Sequence, residues 1–150
     1  MKGLVKRGVS LVEFLIVLVV LGILLGVGFV SLRSYQQSLV IREAAAQVAT
    51  ELQTIRQQAR RQSLNFAFEA TPGGDTYRVG REDSLATLPF KTLPDNVRFA
   101  GTVGGSTVTF RAPYGDVLVS DQGFLLEGPG GRRLNVYVVG RTGKVVVRAP

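Results

Sequence analysis

Cysteine, histidine and tryptophan are all absent from the 150 residues. Without the first two the chain forms no disulfide and offers no thiol nucleophile, no imidazole general base and none of the usual zinc ligands. Its carboxylates are scattered, with Glu82 and Asp83 the only adjacent pair. Gly128-Pro129-Gly130-Gly131-Arg132-Arg133 is glycine-rich and basic but lacks the Lys-Ser/Thr ending of a phosphate-binding loop, so it reads as a β-turn. Composition points away from an enzyme and calls for no metal or cofactor.

Charge is also missing from Val9 to Val30, apart from Glu13. At about 1.5 Å per residue this run spans roughly 33 Å, the hydrocarbon thickness of a bilayer. Lys2, Lys6 and Arg7 precede it and the next charge is Arg33, a bias that holds the N-terminus in the cytoplasm and puts the rest of the chain outside. A removable secretory signal has a shorter apolar region and a small-residue cleavage site close behind it. Gly26-Val27-Gly28 lies within the apolar run and Ala44-Ala45-Ala46 is distant, so that reading is weak; an unprocessed signal anchor stays open. Glu13 is the oddity, because a carboxylate costs about 2.5 to 3.5 kcal/mol at the centre of a membrane helix and so needs a role.

The segment Lys6-Arg7-Gly8-Val9-Ser10-Leu11-Val12-Glu13-Phe14 resembles the class III signal of type IV pilins and type II secretion pseudopilins. That resemblance implies a leader of residues 1–8 ending at Gly8, and cleavage before Val9 by a prepilin peptidase on the cytoplasmic side. The same enzyme would N-methylate Val9, where many family members carry Phe. It also implies that Glu13, at the fifth mature position, neutralises the terminal amine of a neighbouring subunit and sets axial register. A carboxylate merely tolerated near the interface is the competing reading. Gly22, Gly26 and Gly28 fit either a helix that loosens in a filament or ordinary glycine usage in membrane helices.

Residues 31–62 contain neither Pro nor Gly, so the helix is expected to run from 9 to 62, roughly 80 Å at about 1.5 Å per residue. Leu32, Tyr35, Leu39, Ala44, Val48, Leu52, Ile55 and Ala59 form one apolar stripe that should pack on a sheet. From Leu64 the period becomes two, with Leu64, Phe66, Phe68 and Ala70 on one face and Asn65, Ala67, Glu69 and Thr71 on the other. A turn at 72–75 leads to a strand at 76–81 and then an irregular passage over 82–96. Further strands are expected at 97–100, 107–111, 117–120, 124–127, 134–139 and 144–148, most of them separated by Gly-rich turns. The fold class is α+β: a long N-terminal helix, half membrane (9–30) and half amphipathic, packed on antiparallel β-sheets in one pilin-like head of residues 31–150, with its sheet over 64–148.

The passage from Arg132 to Val147, an apolar strand, a Gly turn and a basic-apolar strand, looks like the closing hairpin of GspH/FimT-like minor pilins and pseudopilins, although an ordinary β-hairpin reads the same way. The lack of the disulfide found in many major pilins points in the same direction. The formal charge of +7 includes Lys2, Lys6 and Arg7, and loss of the leader leaves +4. Arg56, Arg60, Arg61, Arg132, Arg133, Arg141 and Lys144 are candidates for binding DNA phosphates; a solvated face or a subunit contact is the plainer reading. The resemblance implies a subunit of a pilus or secretion pseudopilus, working in initiation or at the tip. Its partners would be other subunits, the prepilin peptidase, the inner-membrane assembly platform and lipid. A DNA-binding competence pilin and a simple membrane-anchored β domain are the alternatives.

Overall fold

The computed structural model describes residues 10–94 and 96–149. Among the described residues one α-helix, α1 (Leu11–Gln62), is followed by nine strands and two short 3-10 turns. The expected cleavage site, Gly8 and Val9, lies outside the described residues. The chain divides into two units, Met1–Gln36 and Gln37–Pro150.

In the first unit α1 runs unbroken through Gly22, Gly26 and Gly28. Its apolar side chains are exposed, from Leu11 at 75% to Val30 at 70%. A surface this apolar requires lipid or other protein around it.

In the second unit two antiparallel sheets share one core with the rest of α1. The strands are β1 (Phe66–Ala70), β2 (Thr76–Arg81), β3 (Lys91–Thr92), β4 (Arg98–Val103), β5 (Thr107–Arg111), β6 (Asp116–Val117), β7 (Gln122–Glu127), β8 (Arg133–Val139) and β9 (Lys144–Arg148). They form a five-stranded sheet, β3-β2-β1-β5-β6, and a four-stranded sheet, β4-β7-β8-β9. Phe68 and Tyr77 from the first sheet meet Phe99 and Phe124 from the second, with ring centroids 5.1 to 6.3 Å apart. Each such fully buried ring contributes about 1.5 to 3 kcal/mol through apolar burial, so this cluster fastens the sheets together. Two polar side chains at the core are satisfied: Gln47 Nε2 donates to the Tyr77 hydroxyl at 2.8 Å, and Gln122 Nε2 donates to the carbonyls of Gly104 and Thr107 at 2.9 and 3.0 Å. The buried Arg78 Nε, by contrast, has no hydrogen-bond partner among the described residues.

The buried stripe of α1 differs from the expected one. Ala44, Val48, Leu52, Ile55 and Ala59 are buried as anticipated, but Leu32, Tyr35 and Leu39 are exposed, and Ile41, Ala45 and Ala49 join the core instead. Within the second unit the head packs along α1 from Gln37 and Ile41, met by Gly130 and Gly128, as far as Arg60, which donates to Tyr114 O. Leu39 lies between these contacts in sequence yet is exposed, so it faces away from the sheets. The adjacent buried pairs Ala44/Ala45 and Val48/Ala49 widen the contact, because small side chains let a helix settle against both sheets.

The strand bounds also shift. The first strand starts at Phe66, since Ser63 at φ 53° turns the chain out of the helix, and Leu64 is exposed. Ala67, expected on the polar face, is fully buried. Of the expected strand 117–120 only Val117 pairs, opposite Phe110; Leu118 and Val119 are exposed, and the chain turns at Asp121, φ 61°. The irregular passage resolves into a 3-10 turn, Glu82–Thr87, and the short β3.

Candidate assembly helix and basic groove

Glu13 lies in the first turn of α1. There its charge complements the positive end of the helix dipole, an interaction of about 0.3 to 1 kcal/mol. Among the described residues no cation pairs with it. It stands in a span long and apolar enough to cross a membrane by length and composition. The geometry therefore offers one carboxylate on a helix whose other exposed side chains are apolar for several turns.

The seven basic candidates do not form one patch. Arg56 and Arg60 on α1 meet Lys144 at the start of β9, where with Gln53, Gln57 and Val145 they line a groove of about 390 Å³. Two backbone carbonyls orient the arginines: Arg60 Nε donates to Tyr114 O at 2.6 Å, and Arg56 Nε to Gly115 O at 3.4 Å. Partial burial, and then the neighbouring Arg60 charge, hold the Arg56 guanidinium below its ordinary value.

The remaining four candidates sit elsewhere. Arg61 is exposed in the last turn of α1. Arg132 and Arg133 line a smaller hollow with Arg42, and Arg133 is engaged by Glu127 at 2.7 Å. Arg141 is exposed in the β8–β9 turn, its carbonyl accepting from Val117 N at 3.0 Å. Sequence spacing could not foresee the 114–115 carbonyls, because they come from a loop more than fifty residues away from α1.

The adjacent carboxylates hold local structure. Glu82 accepts from Asn65 Nδ2 at 2.9 Å, and Asp83 pairs with Arg81 at 2.7 Å. Among the described residues no group of His, Cys, Asp or Glu is placed to hold a metal ion.

Residues 5–29 match the family model described as the prokaryotic N-terminal methylation motif. The fold is similar to that of the type IV minor pilin FimU of Pseudomonas aeruginosa strain PAO1. Against its crystal structure in space group P21 the TM-score is 0.61 at 17% identity, covering 77% of this chain and 96% of that one. In space group P65 the values are 0.56 and 17%, covering 73% and 96%. A methylation signal thus precedes a minor-pilin fold. No curated protein matches the chain by sequence. The motif and the apolar helix that carries it fit a pilin subunit anchored in the inner membrane.

Proposed function

We propose that the chain is a non-catalytic minor pilin or pseudopilin that enters the inner membrane with its N-terminus in the cytoplasm. A prepilin peptidase cuts between Gly8 and Val9 and methylates the new amine. The assembly platform then moves the subunit into a type IV pilus or type II secretion pseudopilus, where it acts in initiation or at the tip. The observation that carries this reading is Glu13, a single carboxylate in the first turn of an uncovered apolar helix, inside the methylation motif.

The physical logic is pairing. When apolar helices bundle in a filament core, an isolated Glu13 carboxylate or Val9 ammonium is costly, and joining them across neighbouring subunits offsets both costs. The head adds identity through its surface and needs no reactive groups.

Intact mass and N-terminal peptide analysis of protein from a peptidase-competent membrane test the proposal. The expected product begins at N-methylated Val9, and substitution of Gly8 by a bulky residue leaves full-length precursor. Full-length protein alone in the unsubstituted chain would remove the basis of the reading.

A further inference from the structure

Arg56, Arg60 and Lys144 crowd into one groove, and among the described residues no carboxylate pairs with any of them. The Nε of each arginine is held by a backbone carbonyl, which leaves the Nη donors to an occupant. Three cations facing a half-enclosed space repel one another, so anionic charge placed there is stabilised.

The wall of that groove is unusual. β9 opens it with Lys144 and Val145, and β9 is the last strand of its sheet, paired on one side with β8 and with no described strand on the other. Its outer edge therefore presents a row of backbone donors and acceptors, a template for one more strand. Valines 145 to 147 give it strong strand character, and Val147 is 42% exposed.

The charges at its ends select the occupant. Antiparallel pairing of two β9 strands from two copies would set Lys144 opposite Arg148, and like charges directly opposite are destabilising. An acidic strand meets the reverse situation. Cations recessed between a helix and a strand edge are also reached better by a thin extended chain than by the broad backbone of a nucleic-acid duplex. We infer that this groove takes an extended acidic segment of a partner protein, added as a strand along the outer edge of β9 with carboxylates on Arg56, Arg60 and Lys144.

The test uses the full chain in detergent micelles and a fluorescein-labelled peptide of about eight residues alternating Glu and Val, enough to span an ordinary strand. Anisotropy should show binding that a Lys-Val peptide of equal length lacks. N-methylating alternate backbone amides of the Glu-Val peptide removes its edge hydrogen bonds and leaves its charge, and should weaken binding roughly tenfold or more. Arg60→Glu and Lys144→Glu should each abolish it with the circular dichroism unchanged. If either variant unfolds, the peptide comparisons on the unsubstituted chain still decide. Equal binding of the Lys-Val peptide, indifference to N-methylation, no binding of the Glu-Val peptide, or tighter binding of a short DNA duplex through the same residues would each overturn the inference.

Discussion

A Cβ on Gly115 would sit 2.9 Å from the carbonyl oxygen of Arg56. Gly115 also has φ +64°, a conformation that costs a side-chain-bearing residue of the order of 1 to 3 kcal/mol. The loop can therefore bring its carbonyls to Arg56 and Arg60 only because this position carries no side chain. Gly143 has φ +68°, and a Cβ there would sit 2.8 Å from the Phe110 ring, so the turn that leads into Lys144 also depends on glycine.

From this relationship Gly115→Ala should destabilise the head by about 1 to 3 kcal/mol and lower its thermal midpoint. Gly101→Ala is the control, since a Cβ there meets nothing nearer than Leu125 Cβ at 3.8 Å. Thermal melts of the two variants should separate clearly.

The buried stripe of α1 yields a second expectation. Leu52 is fully buried and Leu39 is 44% exposed. Leu52→Ala should cost about 2 to 5 kcal/mol by leaving a cavity, whereas Leu39→Ala should stay within roughly 0.5 kcal/mol of the parent. Chemical denaturation distinguishes this from a stripe packed all the way from Leu32, in which both substitutions would be costly.

The division at Gln36 and Gln37 makes a third. A chain beginning at Gln37 keeps every helical residue found in the core, the first being Ile41, and omits the exposed Leu32 and Tyr35. It should be soluble, with a cooperative thermal transition and mixed helix and strand dichroism. An insoluble or non-cooperative product would mean that the head needs more of the helix.

Much of this architecture was legible in the sequence because it follows from period. The 3.6-residue stripe through Val48, Leu52 and Ile55 announced a packed helix, and the alternation at Phe66 and Phe68 announced strands. The extent of the packing was not legible, since the same apolar spacing continues through Leu32 and Tyr35, which are exposed. Residues 117–120 failed for a related reason: Leu118 and Val119 have strand-forming character, but only a partner strand can use it, and the pairing with β5 stops at Val117. The groove was invisible because Lys144 lies more than eighty residues from Arg56 and Arg60 in sequence and the orienting carbonyls carry no residue-type signal.

Glu127 gives a pH expectation. Hydrogen bonds from Arg98 and then Arg133 hold its carboxyl below the ordinary carboxylate value, and the two pairs, each at 2.7 Å, tie β4 and β8 to β7. A carboxyl depressed by folding contributes stability above its unfolded value near 4.5, and that contribution is lost as pH falls through the lower folded value. Both arginines are more than half exposed, so the effect should be small and screened by salt. Glu127→Gln should lower the thermal midpoint slightly at neutral pH, and its difference from the parent should vanish in acid. A difference that persists unchanged at low pH would assign the loss to packing.

Glu13 supports two roles that can be separated. In the first turn of α1 it stabilises the helix of a single subunit through the dipole; in a bundle of such helices it would neutralise the methylated amine of a neighbour. Glu13→Val removes a polar group from the span, so membrane insertion should be unharmed or improved. Cleavage after Gly8 should survive as well. The dipole role predicts little further change, since its loss costs under about 1 kcal/mol in a helix that lipid already supports. The pairing role predicts a large one, because a buried charge left without its partner costs about 3 to 5 kcal/mol, and that cost arises only on entry into a filament. Tagged subunit in sheared filaments, measured against the processed membrane pool, should therefore fall steeply for Glu13→Val. Incorporation at the parental level would leave Glu13 as a helix-terminal charge and nothing more.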